Sequence, residues 1–188
     1  ASDVYKRQVL CILLLGIVGV AAGGVFVKHV IDNTPEVTAK DILPQGYTTS
    51  IVDQNGTVLE QLKDSDSNRV YKKYDEISKY MGDAFVAIED ERFYKHNGID
   101  LQGIIRAGVV GVTHGFHFTE GASTLTQQLI KNNVFPNFVN ETNSERFERK
   151  IQEQYLALKI EKQMSKKEIL EAYMNTINLG QGLSLIHI

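Results

Sequence analysis

An uncharged apolar run from Val9 to Val27 constrains this chain more than any other part of its sequence. The run contains 19 residues and no Asp, Glu, Lys or Arg. As an α-helix rising ~1.5 Å per residue it would extend ~28 Å, close to the hydrocarbon thickness of a bilayer. A secretory signal has a shorter apolar segment that ends in small residues. Small residues occur at 21–24, but the run continues to Val27, so we predict an uncleaved single-pass anchor over residues 9–27.

The composition narrows the function of the remaining chain. The 188 residues are 43% hydrophobic and 23% charged, which is typical of a folded domain rather than a disordered segment. The net charge of -3 offers no basic face, so we predict no nucleic-acid partner. The single cysteine, Cys11, cannot form an intramolecular disulfide.

The two ends of the chain do not look native. Residues 3–8 can be encoded by GAT GTG TAT AAG AGA CAG, which is the reverse complement of a coding sequence for residues 183–188. Chance agreement over six codons is improbable, and the pair resembles read-through of a transposon-derived sequencing adapter. We therefore expect residues 1–8 and 183–188 to be artefacts that flank a native sequence over about 9–182.

Between these ends, the sequence predicts a polar connector over 28–46 and a folded domain over 47–182. A β-hairpin is predicted around Asn55-Gly56, because this pair accepts positive φ. From Tyr74 onward apolar residues recur mostly at helical spacing. Capping boxes at Thr142 and Ser165 predict the starts of the last two helices. The domain is thus predicted to be mainly α, with a small β element beside the membrane.

Glu89 is a candidate catalytic carboxylate. Phe85, Glu89 and Phe93 are spaced by four and would share one helix face if the helix continues to Phe93. Apolar surroundings penalise the charged form of a carboxylate, and a group tuned in this way can act as a general base or acid. Alternatively Glu89 ends the helix and shares a solvated acidic turn with Asp90 and Glu91. The pattern alone slightly favours this alternative.

The long helix predicted after Thr142 carries a second candidate site. Its apolar residues are predicted to face the core: Phe147, Ile151, Tyr155 and Leu158. The opposite side places three cations around one carboxylate: Arg146, Arg149, Lys150 and Glu153. This cluster is either surface pairing, worth tenths of a kcal/mol per pair, or a site that binds phosphate oxygens. Spacing alone favours surface pairing.

The polar segment 121–128 leads into another helix. Backbone N–H groups at a helix start favour anions, and Lys131 follows one turn later, but N-capping by Ser123 or Thr124 explains much of the pattern. His114 and His117 lie in a glycine-rich loop without a third ligand, so we predict no metal site there.

Together these segments resemble the peptidoglycan glycosyltransferase family of class A penicillin-binding proteins and their monofunctional relatives. Four motifs of that family occur in order, and together they are a very specific signal. They are 89–98 (EDERFYKHNG), 121–132 (GASTLTQQLIKN), 149–153 (RKIQE), and 167–175 (KEILEAYMN) continuing to Gly180 and Gly182. The resemblance covers residues 47–182 and implies a mainly helical, lysozyme-like domain with a smaller lobe near the membrane.

The resemblance also implies roles for individual residues. Glu89 matches the catalytic base that deprotonates the acceptor sugar hydroxyl, and Glu153 matches a second essential glutamate near the donor diphosphate. The positions that match substrate-binding residues are Asp90, Phe93, His96, Ser123, Thr124, Gln128, Lys131, Arg149 and Lys150.

The implied reaction joins lipid II units into a β-1,4-linked glycan with inversion at the donor carbon and release of undecaprenyl diphosphate. The implied partners are lipid II, the lipid-linked growing glycan, the membrane and other cell-wall synthesis proteins. The implied location is the bacterial plasma membrane, with the catalytic domain on the extracytoplasmic side. No cofactor is required by the sequence, although Mg²⁺ or Mn²⁺ assisting the diphosphate is compatible with the resemblance.

The chain departs from the family pattern at its end, where a fifth motif and closing helices should follow Gly182. We therefore expect a truncated fragment. The hairpin at 53–56 resembles the segment that precedes the glycosyltransferase domain in two-domain members, which favours a bifunctional parent with a transpeptidase domain. Two alternatives are a lysozyme-like enzyme that cleaves glycan and a non-catalytic membrane scaffold. The direction of the reaction separates the first alternative from a polymerase, and the need for Glu89 separates the second.

Overall fold

The computed structural model describes residues 2–44, 49–62, 70–114, 121–135 and 137–177. The helices and strands are α1 (Ser2–Asp32), β1 (Thr49–Val52), β2 (Val58–Leu62), α2 (Lys79–Glu89), α3 (Leu101–Thr113), α4 (Leu125–Val134), α5 (Asn143–Ile160) and α6 (Lys166–Thr176). Single 3-10 turns lie at Tyr74–Glu76, Phe93–Lys95 and Phe138–Asn140. The predicted mainly α fold with an N-terminal apolar helix and one hairpin is confirmed. His117, Gly180, Gly182 and the segment 183–188 lie outside the described residues.

The predicted anchor forms part of the long helix α1. Within the described residues, one helix is long and apolar enough to cross a membrane. This helix includes Lys28 to Asp32, which were predicted to belong to the connector. The ring of Phe26 stacks on Phe147 of α5 with 6.1 Å between ring centroids, and Val30 is buried. Helix α1 therefore continues without interruption from the predicted anchor to a contact with the helix that carries Arg149 and Glu153.

The hairpin is held by its turn. Strands β1 and β2 pair antiparallel, from Thr49 opposite Leu62 to Val52 opposite Val58. The carboxylate of Asp53 accepts hydrogen bonds from the backbone N–H groups of Asn55 and Thr57, each at 2.8 Å. Gly56 has φ +82°, the conformation for which the Asn-Gly pair was predicted.

The hydrophobic core lies where α4 packs against α5 and α6. Its largest fully buried apolar side chains include Phe93, Leu125, Leu129, Ile130, Leu156, Ile160, Ile169, Leu170 and Met174. The predicted capping boxes are confirmed, because the hydroxyls of Thr142 and Ser165 accept from the N3 backbone N–H groups. These caps satisfy N–H groups that have no partner inside a helix. The described core is therefore built from the elements that carry the predicted motifs.

The end of α2 decides between the two alternatives for Glu89. Helix α2 ends at Glu89, and Phe93 begins a separate 3-10 turn, so the slightly favoured position of Glu89 at a helix end is the one observed, and the shared face with Phe85 and Phe93 does not form. The chain leaves the helix at Asp90, whose φ of -159° is extended. Helix α3 carries exposed apolar residues, including Leu101 and Val109.

The predicted core face of α5 is wrong for Phe147 and Leu158, whereas Ile151 is partly buried and Tyr155 packs against the core. Phe147 is 60% exposed and Leu158 is 42% exposed. The side of α5 that enters the protein instead carries Arg149 and Glu153, followed by the buried residues Leu156, Ala157 and Ile160. Hydrophobic periodicity did not predict that this side of α5 is buried, because Arg149 and Glu153 have ionic partners in the interior.

Gly98 joins the segment after α2 to both α4 and α5. Its φ is +93°, and a Cβ at this position would lie 2.7 Å from the carbonyl carbon and oxygen of Ala157. Its own carbonyl accepts from Thr124 Oγ1 at 2.8 Å and from Gln127 Nε2 at 3.2 Å. This close approach requires glycine.

We expect Gly98→Ala to lower the free energy of unfolding by about 3 kcal/mol, because it combines an unfavourable positive φ with a backbone overlap. Gly56→Ala is the matched control, since Gly56 has a positive φ but open space around it. The control should lose only ~1 kcal/mol. Urea unfolding in detergent measures both values, and equal losses would show that the contact with Ala157 is unimportant.

Candidate active site

Four parts of the fold carry the four motifs. The end of α2 carries Glu89, the segment 121–124 leads into α4 with Gln128 and Lys131, α5 carries the charged cluster, and α6 carries the fourth motif. A polar cleft of about 150 Å³ is lined by Glu89, Arg92, Asp100 and residues 121–124. Larger cavities of about 500 Å³ lie beside Phe138 and Glu141, and of about 540 Å³ beside His96 and Leu158.

Glu89 faces solvent at the edge of this cleft. Its side chain is exposed, and its carboxylate accepts a hydrogen bond from Gln128 Nε2 at 2.9 Å. The solvated position at a helix end therefore describes Glu89 correctly, and the position within an apolar stripe does not. An exposed carboxylate with one fixed donor is open to a substrate hydroxyl.

Arg92 and Asp100 form the opposite part of the cleft. The guanidinium donates to the carboxylate through Nε at 3.0 Å and Nη2 at 2.6 Å. These hydrogen bonds hold the pKa of Asp100 below its usual range. The charge of Arg92 is thus largely matched by Asp100 and Glu91.

Asp90 points inward, away from Glu89. Its side chain is 2% exposed, and it accepts from the backbone N–H of Leu125 at 3.0 Å and from His96 Nε2 at 2.9 Å. The backbone N–H of Gly98 donates to His96 Nδ1 at 3.2 Å, so His96 is held with its proton on Nε2. Asp90 thereby attaches the first motif to the start of α4.

Phe93 and Thr124 are buried as well. Phe93 lies in the core, and Thr124 caps α4 while donating to the carbonyl of Gly98. Together with Asp90 and His96, they contact protein atoms on the inner side of the motifs. Their contact with substrate stays a prediction. In the structure they hold Glu89 and the start of α4 in their relative positions.

Two members of the charged cluster on α5, Arg149 and Glu153, are buried and paired, whereas Lys150 is half-buried and Arg146 is exposed. Arg149 donates to Glu141 through Nε at 2.7 Å and to Glu153 through Nη1. The side chains of Arg149 and Glu153 are 7% and 1% exposed, so the prediction of surface pairing is wrong for both residues. Lys150 Nζ lies 2.8 Å from Glu153 Oε2 and 2.9 Å from Ser123 Oγ. Lys150 therefore links the second motif to the third.

Lys131 adds a further cation to the same region. Burial lowers the pKa of Lys131, and the neighbouring charges of Lys150 and Arg149 lower it further, against the opposing effect of Glu153 and Glu89. Its Nζ lies 4.9 Å from the centroid of the Phe138 ring, within cation–π distance. Positive charge is therefore concentrated on one side of Glu89, where an anionic leaving group would be stabilised.

Several contacts of the site could not be found from the sequence. Phe138 also lies 5.7 Å from the guanidinium of Arg149, so one ring contacts two of the predicted substrate-binding cations. Glu141 pairs with Arg149 from outside the predicted motif. Neither residue carries a local pattern that separates it from an ordinary loop residue.

An exposed carboxylate beside a cluster of cations defines a site suited to group transfer from an anionic leaving group, and the comparisons identify the class as a glycosyltransferase. The family described as Transglycosylase matches residues 55–187, and the chain belongs to this family. This membership also supports the predicted lysozyme-like fold.

Relatives of this chain are penicillin-binding proteins. The chain is 42% identical to penicillin-binding protein 1A of Clostridium perfringens over 172 residues. This aligned region covers 90% of the chain and 24% of the relative. The chain is 45% identical over 151 residues to penicillin-binding protein 1A of Clostridium acetobutylicum, covering 71% of this chain and 18% of the relative. It is 34% identical over 176 residues to penicillin-binding protein 1A/1B of Bacillus subtilis, covering 94% and 18%. The chain spans less than a quarter of the length of these relatives.

We expect Glu153→Gln to lower the free energy of unfolding by about 3 kcal/mol, because it leaves the buried guanidinium of Arg149 with less compensating charge. Asp75→Asn is the control, since it breaks the exposed ion pair between Asp75 and Lys167. The control should leave the unfolding midpoint unchanged. Thermal unfolding in detergent compares the two variants, and a stable Glu153→Gln protein would contradict a structural role for the pair.

Proposed function

We propose that this chain forms the glycan-polymerising domain of a class A penicillin-binding protein. Its substrate is lipid II, and its product is a β-1,4-linked glycan with release of undecaprenyl diphosphate. The observation that carries this proposal is the placement of the exposed Glu89 beside the cations Lys131, Lys150 and Arg149. The long apolar helix α1 adds support, because both substrates of such an enzyme carry lipid tails.

The proposed step is a single displacement at the donor anomeric carbon. Glu89 accepts the proton of the acceptor sugar hydroxyl, and the hydroxyl oxygen forms the new bond to the anomeric carbon. The bond from that carbon to the diphosphate oxygen breaks with its electron pair, so the configuration inverts. Lys131 and Lys150 stabilise the leaving diphosphate, and Glu153 fixes Arg149 and Lys150 in position.

A divalent cation has little protein ligation to draw on in this site. Among the described residues, no group of three or more His, Cys, Asp or Glu side chains is placed to hold a metal ion. Glu153 is already paired with two cations. Mg²⁺ or Mn²⁺ would therefore be held mainly by the diphosphate oxygens. The proposed displacement assigns catalytic roles to side chains of the protein alone.

The proposed location is the plasma membrane, with the catalytic domain on the extracytoplasmic side and α1 as a single span. The contact between Phe26 and Phe147 supports an arrangement in which α5 begins near the membrane surface. Lipid II and the lipid-linked glycan are the proposed partners, joined by other cell-wall synthesis proteins. The proposed parent also carries a transpeptidase domain.

We expect Glu89→Gln to reduce polymerisation of labelled lipid II at least ~100-fold, because a positioned general base contributes on the order of 100- to 10,000-fold. The full-length protein in detergent is the test sample, and gel separation of the glycan products is the measurement. Asp83→Asn is the control, since it removes another exposed carboxylate from the same helix. Wild-type protein that is folded but forms no polymer would overturn the proposal, and cleavage of added glycan would favour a lytic enzyme.

The lowered pKa of Lys131 predicts the alkaline side of the pH profile. The charged form binds phosphate, so kcat/KM should fall as pH rises through this pKa, earlier than for an ordinary lysine. Lys131→Arg should move the fall to higher pH, because a guanidinium stays charged. Lys167→Arg, which changes an exposed lysine paired with Asp75, should leave the profile unchanged. An identical profile for wild type and Lys131→Arg would contradict this role.

A further inference from the structure

Tyr173 of α6 is a buried polar residue that the step above does not use. Its side chain is 3% exposed, and its ring meets Phe85 of α2 edge-on at 5.8 Å between centroids. Its hydroxyl donates to Gln128 Oε1 at 3.1 Å. The other end of the same amide, Nε2, donates to Glu89 at 2.9 Å. One glutamine side chain thus connects a tyrosine in the core to the carboxylate at the cleft.

We propose that Tyr173 is a positioning residue for the transfer reaction, because its hydroxyl fixes the orientation of the Gln128 amide that holds Glu89. The kinetic test of this inference measures the proposed polymerisation, so that test rests on the proposed function.

The donor and acceptor chemistry permits one orientation of this relay. An ionised carboxylate only accepts hydrogen bonds, so Nε2 of Gln128 must face Glu89. The amide oxygen then faces Tyr173, which must donate. A rotated amide would place its oxygen against the carboxylate oxygens, and that arrangement is repulsive. Gln128 is half-buried, and the Tyr173 hydroxyl provides a fixed donor where water would otherwise compete.

The environment keeps Tyr173 in its donating form. Burial raises the pKa of Tyr173 to about 12, and the negative charge of Glu89 acts in the same direction. The hydroxyl therefore retains its proton throughout the pH range in which a carboxylate base operates. The edge contact with Phe85 fixes the ring, and Phe85 lies one turn before Glu89 on the same helix.

Tyr173→Phe is the test, because it removes the hydroxyl and keeps the ring in the core. We expect kcat/KM for lipid II polymerisation to fall about tenfold, the value of one lost hydrogen bond of ~1.4 kcal/mol. Tyr80→Phe is the control, since it removes a hydroxyl from an exposed residue on α2. A wild-type kcat/KM in Tyr173→Phe would overturn the inference.

A double-variant cycle tests whether Tyr173 acts through Gln128. We expect Gln128→Leu to abolish the relay, so that adding Tyr173→Phe causes no further loss. Additive losses would show that Tyr173 acts by another route and would overturn the inference.

A second readout does not depend on activity. Glutamine side chains labelled with ¹⁵N give amide signals, and the signal missing in Gln128→Leu assigns Gln128. This signal should change in Glu89→Gln, which alters its hydrogen-bond partner, and in Tyr173→Phe it should broaden or shift. An unchanged signal would overturn the relay even if the protein polymerises lipid II. Failure of the wild type to polymerise would instead count against the proposed function and leave this spectroscopic result standing.

Discussion

The buried carboxylate of Asp90 is the interaction on which the site depends. It accepts hydrogen bonds from the backbone N–H of Leu125 and from His96, so it fixes the end of α2 against the start of α4. Because Asp90 turns inward where the helix ends, the preceding Glu89 remains at the surface of the cleft. Substrate access to one carboxylate and burial of the next are therefore two consequences of a single helix ending.

Charge in the interior is organised in the same way. Arg149 and Glu153 are buried on α5. The desolvation cost of burying them is offset because Glu141 and Lys150 complete their pairing. Lys150 then reaches Ser123, and the Phe138 ring contacts both Lys131 and Arg149. The cations beside Glu89 are held by fixed contacts rather than by mobile surface side chains. Such preorganisation is what a site needs to stabilise charge that develops on a leaving group.

Helix α5 both contacts α1 and carries part of the candidate site. Phe147 near the start of this helix stacks on Phe26 of α1, and Arg149 lies only two residues further along. The charged cluster on α5 therefore begins within one helical turn of the contact with α1. Helix α6 contributes the buried Tyr173, whose hydroxyl is connected to Glu89 through the side chain of Gln128.

The sequence by itself determined the apolar span, the hairpin turn at Gly56 and the capped starts of α5 and α6, because these features depend on neighbouring residues along the chain. It also identified the motif segments that the fold brings together. Only the tertiary structure decided which side of α5 is buried and which of Glu89 and Asp90 faces the cleft. Hydrophobic periodicity assumes that charges face water, and this assumption fails where Arg149 and Glu153 find partners inside. The contacts of Phe138 and Tyr173 join distant segments, so no local pattern in the chain could predict them.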